Sequence, residues 1–413
     1  MTTDLPVGSE PDRIEAWLVR PDDERGAITL VSGVVTIADG VIASIEPGEG
    51  SGRTPRVLLP GFVDAHTHLP QFDAVGHEGM TLLDWLADVI FPAEAKWSLP
   101  GYAAQSSSRA IQRMLSCGTT GFAAYATSDA AATRAAIDRA RAAGVRAWIG
   151  LVLMERNGPG ELLRDPAKQI EQAAELCVLA PSGSRVAHAI SPRFAISCGA
   201  DLLAAAGKLA QETSSLVQTH LSEMQDECRL TEELFDGTPY AEVYDRAGLL
   251  HSRAVLGHGV WLSEGERRLL AERRAWVAHC PTANTFLKSG TMDLAGANTS
   301  GMQTALGSDV AGGPDPSMPR VARAMIEASI HRGDTPPSAS EAWWMITRGN
   351  AQALGWDDAG VIREGAPADL VCLRPDPQWL AGGDPLARLL WGWDERQIEA
   401  TFLRGRVAYA ANG

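Results

Sequence analysis

Eight times between residues 58 and 309 a short β-prone run gives way to a stretch with helical periodicity, commonly rich in Ala and Leu, and that alternation leaves few folds open. The runs are LLPGFVDAH (58–66), TTGFAA (119–124), RAWIGLV (146–152), RVAHAIS (185–191), LVQTH (216–220), AVLGH (254–258), AWVAH (275–279) and TALGSD (304–309). Intervening helices are expected over 106–116, 130–143, 166–179, 202–212 and 264–273, with loops over 153–165 and 290–302. Alternating strands and helices of this kind form a parallel α/β fold, and eight units describe a (β/α)8 TIM barrel.

The flanks follow a different rule. IEAWLVR, AITLVSG and VVTIADGVIASIEPG near the start, and ADLVCLRPD and IEATFLRGRVAYAANG at the end, are short alternating strands with Gly turns. Neither end suffices for a sheet alone, so the two are expected to pair into one small β-sandwich. The expected division is 1–58 with 359–413 as that composite domain and 59–358 as the barrel, consistent with 413 residues exceeding one ordinary core.

A hydrophobic fraction of 45%, a charged fraction of 21% and a formal charge of −15 fit a globular protein and argue against nucleic acid, which needs a basic stripe to bind phosphates. No run approaches a membrane span and the start is acidic where a signal peptide would be basic, so a cytoplasmic location is expected. The six cysteines stand singly, without the spacing of a disulfide or zinc-ribbon framework, and read as reduced thiols.

Barrel enzymes build their sites on loops at the carboxyl ends of the strands. His66, His68, Arg193, His220, His258, His279 and Asp309 all fall at such ends. His66 and His68 alternate on one strand and so point the same way. With His220 and Asp309 they give three nitrogens and one carboxylate, a set suited to zinc with one position left for water. A lone strand-end His is more often a hydrogen-bonded core residue, and that reading is kept for His77, His188, His251 and His331. His279, before Cys280-Pro281, is left between a supporting and a structural role. Glu223, three residues after His220, is the candidate proton shuttle, weighed against a capping carboxylate. His258 is the candidate for orienting the attacking water. The His-x-Glu and Pro-Cys-x-x-Cys signature of cytidine-type deaminases is absent.

GFVDAHTH, THLSE, LGHG, AHCP and LGSDVAGG resemble the amidohydrolase superfamily, in its branch of mononuclear aminohydrolases. HLPQF (68–72), LLDWL with FPAE (82–94), SPRFAISC (191–198), HLSEMQDE (220–227) and SDVAGG (308–313) narrow the resemblance to the guanine deaminases, over nearly the whole chain. The resemblance implies one zinc ion per subunit at His66, His68, His220 and Asp309, with Glu223, His258 and Asp309 catalytic. It places Gln71, Arg193 and Phe194 on a purine and implies a homodimer. In some related barrels a carbamylated Lys at the end of strand four holds a second metal; here that strand ends in Ser191-Pro192-Arg193, which favours a single ion. Departures lie in ANTFLKSG (283–290), where Thr285, Phe286 and Lys288 are bulkier or more charged than the pattern, and in PDPSM (314–318).

The implied reaction is hydrolytic deamination of guanine to xanthine and ammonia. Glu223 would relay a proton to the ring nitrogen next to C2, while Asp309 and His258 position the nucleophile. Arg193 offers donors to the purine carbonyl, its alternative role being a strand-end ion pair. Trp85 and Phe194 either stack on the purine or pack the mouth. Two other readings remain: a sister aminohydrolase acting on 8-oxoguanine, a pterin or a triazine, and an inactive barrel serving as a binding or scaffold protein, against which the intact donor set speaks. Iron, manganese or cobalt suit the same donors as zinc.

Overall fold

The computed structural model describes residues 5–48 and 55–411, so the parts of the expected composite domain at 1–4, 49–54 and 412–413 lie outside the described residues. Its strands are β1 (Arg13–Pro21), β2 (Ile28–Ala38), β3 (Val41–Pro47), β4 (Val57–Pro60), β5 (Phe62–His68), β6 (Thr119–Tyr125), β7 (Arg146–Leu153), β8 (Val186–Pro192), β9 (Val217–Leu221), β10 (Ala254–His258), β11 (Trp276–His279), β12 (Gln303–Leu306), β13 (Leu370–Leu373), β14 (Ile398–Leu403) and β15 (Arg406–Ala410).

Strands β5 to β12 lie side by side in chain order, each parallel to the next. The last returns to the first: the Asp309 N–H donates to the His66 carbonyl at 2.9 Å, and the sheet closes into the expected barrel. Helices Tyr102–Ser116, Ala130–Ala143, Pro166–Leu179, Ala200–Thr213 and Glu264–Arg273 form where the periodicity places them. Local chemistry starts them. The Asp129 and Asp165 carboxylates accept the N–H of Ala132 and Lys168, and Ser263 with Glu266 makes a reciprocal cap; such caps stabilise a helix by about 1 kcal/mol. Inward faces such as Ala132, Ala136, Ile137 and Ala140 are buried.

Segment 290–302, expected as a loop, contains a helix, Leu294–Thr299, started by the Asp293 carboxylate accepting from Gly296 N–H. Six residues are too few to show a helical period in sequence. A second difference is more instructive. The first β-prone run is two strands, with β4 in a different sheet from β5. The Gly61 N–H donates to the Asp369 carbonyl at 2.8 Å and the next amide, Phe62, to Gly118 at 3.0 Å, so adjacent residues serve separate sheets. Only glycine fits at this crossing, because a Cβ would lie 2.0 Å from the Thr120 hydroxyl.

The other sheet has seven strands in the order β15-β14-β13-β4-β1-β2-β3, antiparallel except for the parallel pair β1 and β4. It draws on both ends of the chain and curls so that the β2–β3 turn meets the segment leading into β13 and the β14–β15 turn. At the β2–β3 turn the Gly40 carbonyl accepts from Ala368 N–H, and Ile37 packs so closely on Gly405 that a Cβ there would be 2.5 Å away. Leu18, Ile42, Leu58, Leu370 and Phe402 are buried within it. The expected sandwich is thus built from one sheet. Among the described residues no helix is long and apolar enough to cross a membrane.

Candidate active site

The period-two reading of β5 holds, and His66 and His68 both reach the carboxyl end of the barrel, where His220 on β9, His258 at the end of β10 and Asp309 beyond β12 meet them. Small residues make the space. A Cβ on Gly257 would lie 2.5 Å from the His66 ring, and one on Gly307 2.6 Å from the His66 Cβ.

Donor atoms of His66, His220, His258 and Asp309 all fall within 4.8 Å of one another. His68 joins this group: its Nε2 is 3.1 Å from His220 Nε2 and 3.3 Å from Asp309 Oδ1, while His66 Nε2 is 3.4 Å from the same oxygen. The four expected ligands are therefore together, and geometry adds His258 to the donors. The His220 Nδ1–H donates to the Arg193 carbonyl at 2.6 Å, which leaves the Nε2 lone pair facing the cluster. Among the described residues, His66 Nδ1 and Nε2 and His68 Nδ1 are buried without a hydrogen-bond partner. Burial holds the imidazoles neutral: it lowers His66, takes His68 down to about 4, and pushes His220 well below the ordinary value, helped there by its neighbouring imidazoles. Burial works against the Asp309 charge too, but contacts with His66 and His68 outweigh it and hold that carboxyl well below the carboxylate range. Neutral imidazoles, one ionised carboxylate and orphaned nitrogens fit a divalent cation.

Glu223 has the opposite electrostatics. Desolvation first, then the Asp309 charge, raises it to about 8 against the hydrogen bond from Ser289. Both effects push the carboxyl toward its protonated form. Two carboxyl groups in one site, one forced ionised and one pushed toward protonation, mark out an acid and a base. Glu223 Oε2 sits 3.3 Å from His258 Nε2, its Oε1 accepts from Ser289 Oγ at 2.9 Å, and His258 Nδ1 is 2.9 Å from Asn284 Oδ1. The capping role weighed for Glu223 belongs to Glu227, which accepts the N–H groups of Glu223 and Met224 and is itself raised to about 7, chiefly by burial.

His68, His220, Glu223, His258 and Asp309 line one partly open cavity together with Gln71, Trp85, Arg193 and Phe194. The room left is about 20 Å³, roughly one water's worth, so the lining side chains, with Leu82, Leu86 and Leu287 in the apolar wall, have to part before a purine-sized molecule enters. Trp85 is 3% exposed and its indole N–H has no partner among the described residues, which sets it apart from pure packing. Arg193 does make the ion pair weighed against its binding role, with Glu94 at 2.7 Å, yet it also borders the cavity.

Of the remaining histidines, His188 is a core residue, its Nε2 accepting from Leu151 N–H at 3.1 Å, and His251 Nδ1 accepts from Arg253 N–H at 3.1 Å. His77 and His331 are exposed. His279 is buried with Nδ1 unpartnered among the described residues and its ring brought down to about 3, by burial and then by His258. Thr285 and Lys288, departures from the family pattern, turn outward, while Phe286 packs in the apolar cluster around Trp85 and Leu287. None of these three lines the cavity, nor does 314–318. That same departing segment supplies Asn284 and Ser289. Sequence reading gave no role to these two or to Glu94; a buried Asn or Ser in a loop carries no spacing signal, and FPAE was the only trace of Glu94.

The model of the amidohydrolase family matches residues 57–408. A guanine deaminase of Dictyostelium discoideum is 33% identical over 368 residues, which is 85% of this chain and 82% of that protein. The solved E. coli guanine deaminase superposes with a TM-score of 0.91 at 29% identity, covering 97% of this chain and 100% of that one. A guanine deaminase from C. acetobutylicum, solved with guanine in its active site, gives 0.89 at 27% identity over 96% and 100% of the two chains.

Proposed function

The chain belongs to the amidohydrolase family, and from that premise we propose that it hydrolyses guanine to xanthine and ammonia. One observation carries the reading: the cavity lined by His68, His220 and Asp309 is also bordered by the buried Glu223 carboxyl, pushed toward its protonated form, and by donors suited to a purine carbonyl. His66, His68, His220 and Asp309 would hold the metal, zinc by preference for such nitrogen and oxygen donors, one ion per subunit. When bound, a cation of this kind lowers the pKa of water from 15.7 to roughly 7.

The protein's own groups do the rest. Glu223 hands its proton to the ring nitrogen beside C2 as water oxygen adds at that carbon, and takes a proton from the added water. It then gives that proton to the exocyclic nitrogen, the C2–N bond breaks to release ammonia, and the proton left on the added oxygen returns to Glu223 as the C2 carbonyl forms. His258, held by Asn284 and facing both Glu223 and Asp309, steadies charge at the attacked carbon. Arg193 and Gln71 bind the purine edge, with Phe194 and Trp85 against its faces. Leu82, Leu86 and Leu287 wall one side of the cavity with apolar surface, which keeps water from that side and strengthens these interactions. A homodimer in the cytoplasm, serving purine catabolism or salvage, completes the reading; family membership is its support.

The test is the ultraviolet change of guanine with ammonia measured in parallel, before and after a chelator. Ammonia equal to guanine consumed, lost on chelation and restored by zinc, is expected. Absence of ammonia from guanine in the zinc-loaded protein overturns the proposal.

A further inference from the structure

A buried carboxylate outside the reacting groups ties the two purine-facing side chains together. Glu94 is 1% exposed. Its Oε2 accepts from Arg193 Nη1 at 2.7 Å and its Oε1 from Gln71 Nε2 at 3.2 Å. On the far side, the Gln71 Oε1 accepts from the Ala311 N–H at 3.2 Å. A carboxylate only accepts and a backbone amide only donates. The orientation of the Gln71 amide is therefore dictated from both sides, where an unconstrained Gln could turn end for end to suit either kind of ligand.

We infer that Glu94 is a positioning residue that fixes substrate choice: by locking Gln71 and drawing on Arg193 it leaves the cavity a wall weighted to N–H donors, which selects a purine edge bearing a carbonyl and rejects one bearing an amino group. The inference rests on the purine reading above. The donors that remain are the Arg193 N–H groups not used by Glu94 and the second Nε2–H of Gln71, and the indole N–H of Trp85, unpartnered among the described residues, lies in the same wall. An amino group brought against them finds donor facing donor, and buried unmatched pairs of this kind discriminate strongly.

Glu94→Gln creates an unavoidable conflict. If the oxygen of the introduced amide accepts from Arg193, its nitrogen faces that of Gln71; if Gln71 then turns, its nitrogen faces the Ala311 N–H. The paired exchange Glu94→Gln with Gln71→Glu removes the conflict and keeps the net charge of the cluster. The amide introduced at position 94 accepts from Arg193 and donates to the carboxylate introduced at position 71, which in turn accepts from the Ala311 N–H. The exchange places an acceptor where the cavity had a donor.

The experiment measures equilibrium binding of hypoxanthine and adenine to the zinc-loaded parent, Glu94→Gln and the paired variant, with melting temperature, zinc content and guanine turnover recorded alongside. Neither ligand carries an amino group at C2, so the ratio reads the edge and not the chemistry. The parent is expected to favour hypoxanthine by on the order of 100-fold or more. The paired variant should lose that preference at unchanged zinc content, and Glu94→Gln should raise KM for guanine more than it lowers kcat. A paired variant that keeps the parent's ratio overturns the inference. A parent that releases no ammonia from guanine, while the ratio still collapses in the paired variant, counts against the guanine reading and supports this one.

Discussion

Two clusters of charged and polar groups in this molecule, one half-buried and one buried, are built to opposite specifications. In the curled sheet, Glu399 on β14 is gripped by Arg56 at 2.6 Å and by Arg374, and its charge is answered on both sides. At the barrel mouth, His66 and His68 lie deeper, each with an Nδ1 that no described protein group answers, beside a carboxyl that burial pushes toward its protonated form. Leaving a buried polar group unmatched costs about 1–3 kcal/mol. The sheet spends its polar groups on holding itself together; the mouth tolerates that cost because its groups are kept for a visitor.

Substitutions should separate the two. The largest effect is expected from His66→Leu, which abolishes metal retention and turnover, yet melts little lower than the chelated parent because an apolar side chain replaces a buried imidazole whose Nδ1 has no partner among the described residues. A large drop in melting temperature against chelated parent would show that the mouth is structural after all. Next comes Glu223→Gln, which should bind metal fully in elemental analysis and lose on the order of 10² to 10⁴ in kcat; near-parental turnover removes Glu223 from the proton path. Asn284→Ala, which frees the His258 ring, should cost roughly 10- to 100-fold in kcat/KM with metal retained, as loss of an orienting partner does.

The smallest effect on chemistry belongs to the sheet. Glu399→Gln should lower stability by about 1–2 kcal/mol in denaturant titration while kcat/KM stays within a few-fold. Burial alone would raise the Glu399 carboxyl, but Arg56 and Arg374 hold it below the ordinary range. A carboxyl depressed in the folded state contributes stability above its unfolded value of about 4.3, and that contribution disappears as pH falls through the folded value. The acid limb of the parent's stability profile should therefore be steeper than that of Glu399→Gln. Coincident limbs would deny the ion pairs a stabilising part.

The barrel was legible because each strand carries its own local signature, and because strand ends are where barrel sites gather. His66, His68, His220, Glu223, His258 and Asp309 could be named for that reason. Glu94 could not, since its partner Arg193 stands 99 positions away. Asn284 and Ser289 were hidden for a related reason: each is defined by a contact with a residue on another strand's end, not by its neighbours in sequence. The crossing at Gly61 escaped notice because β4 and β5 share one unbroken apolar pattern, and only the hydrogen-bond partners of consecutive amides tell the two strands apart.

That crossing has a consequence for anyone wishing to make the protein smaller. The strand bearing the paired histidines is tethered, one residue upstream, to a sheet assembled from the two chain ends. Clipping either end would slacken the anchor of the first stave, so a minimal enzyme has to be sought by shortening outer loops and not by paring the termini.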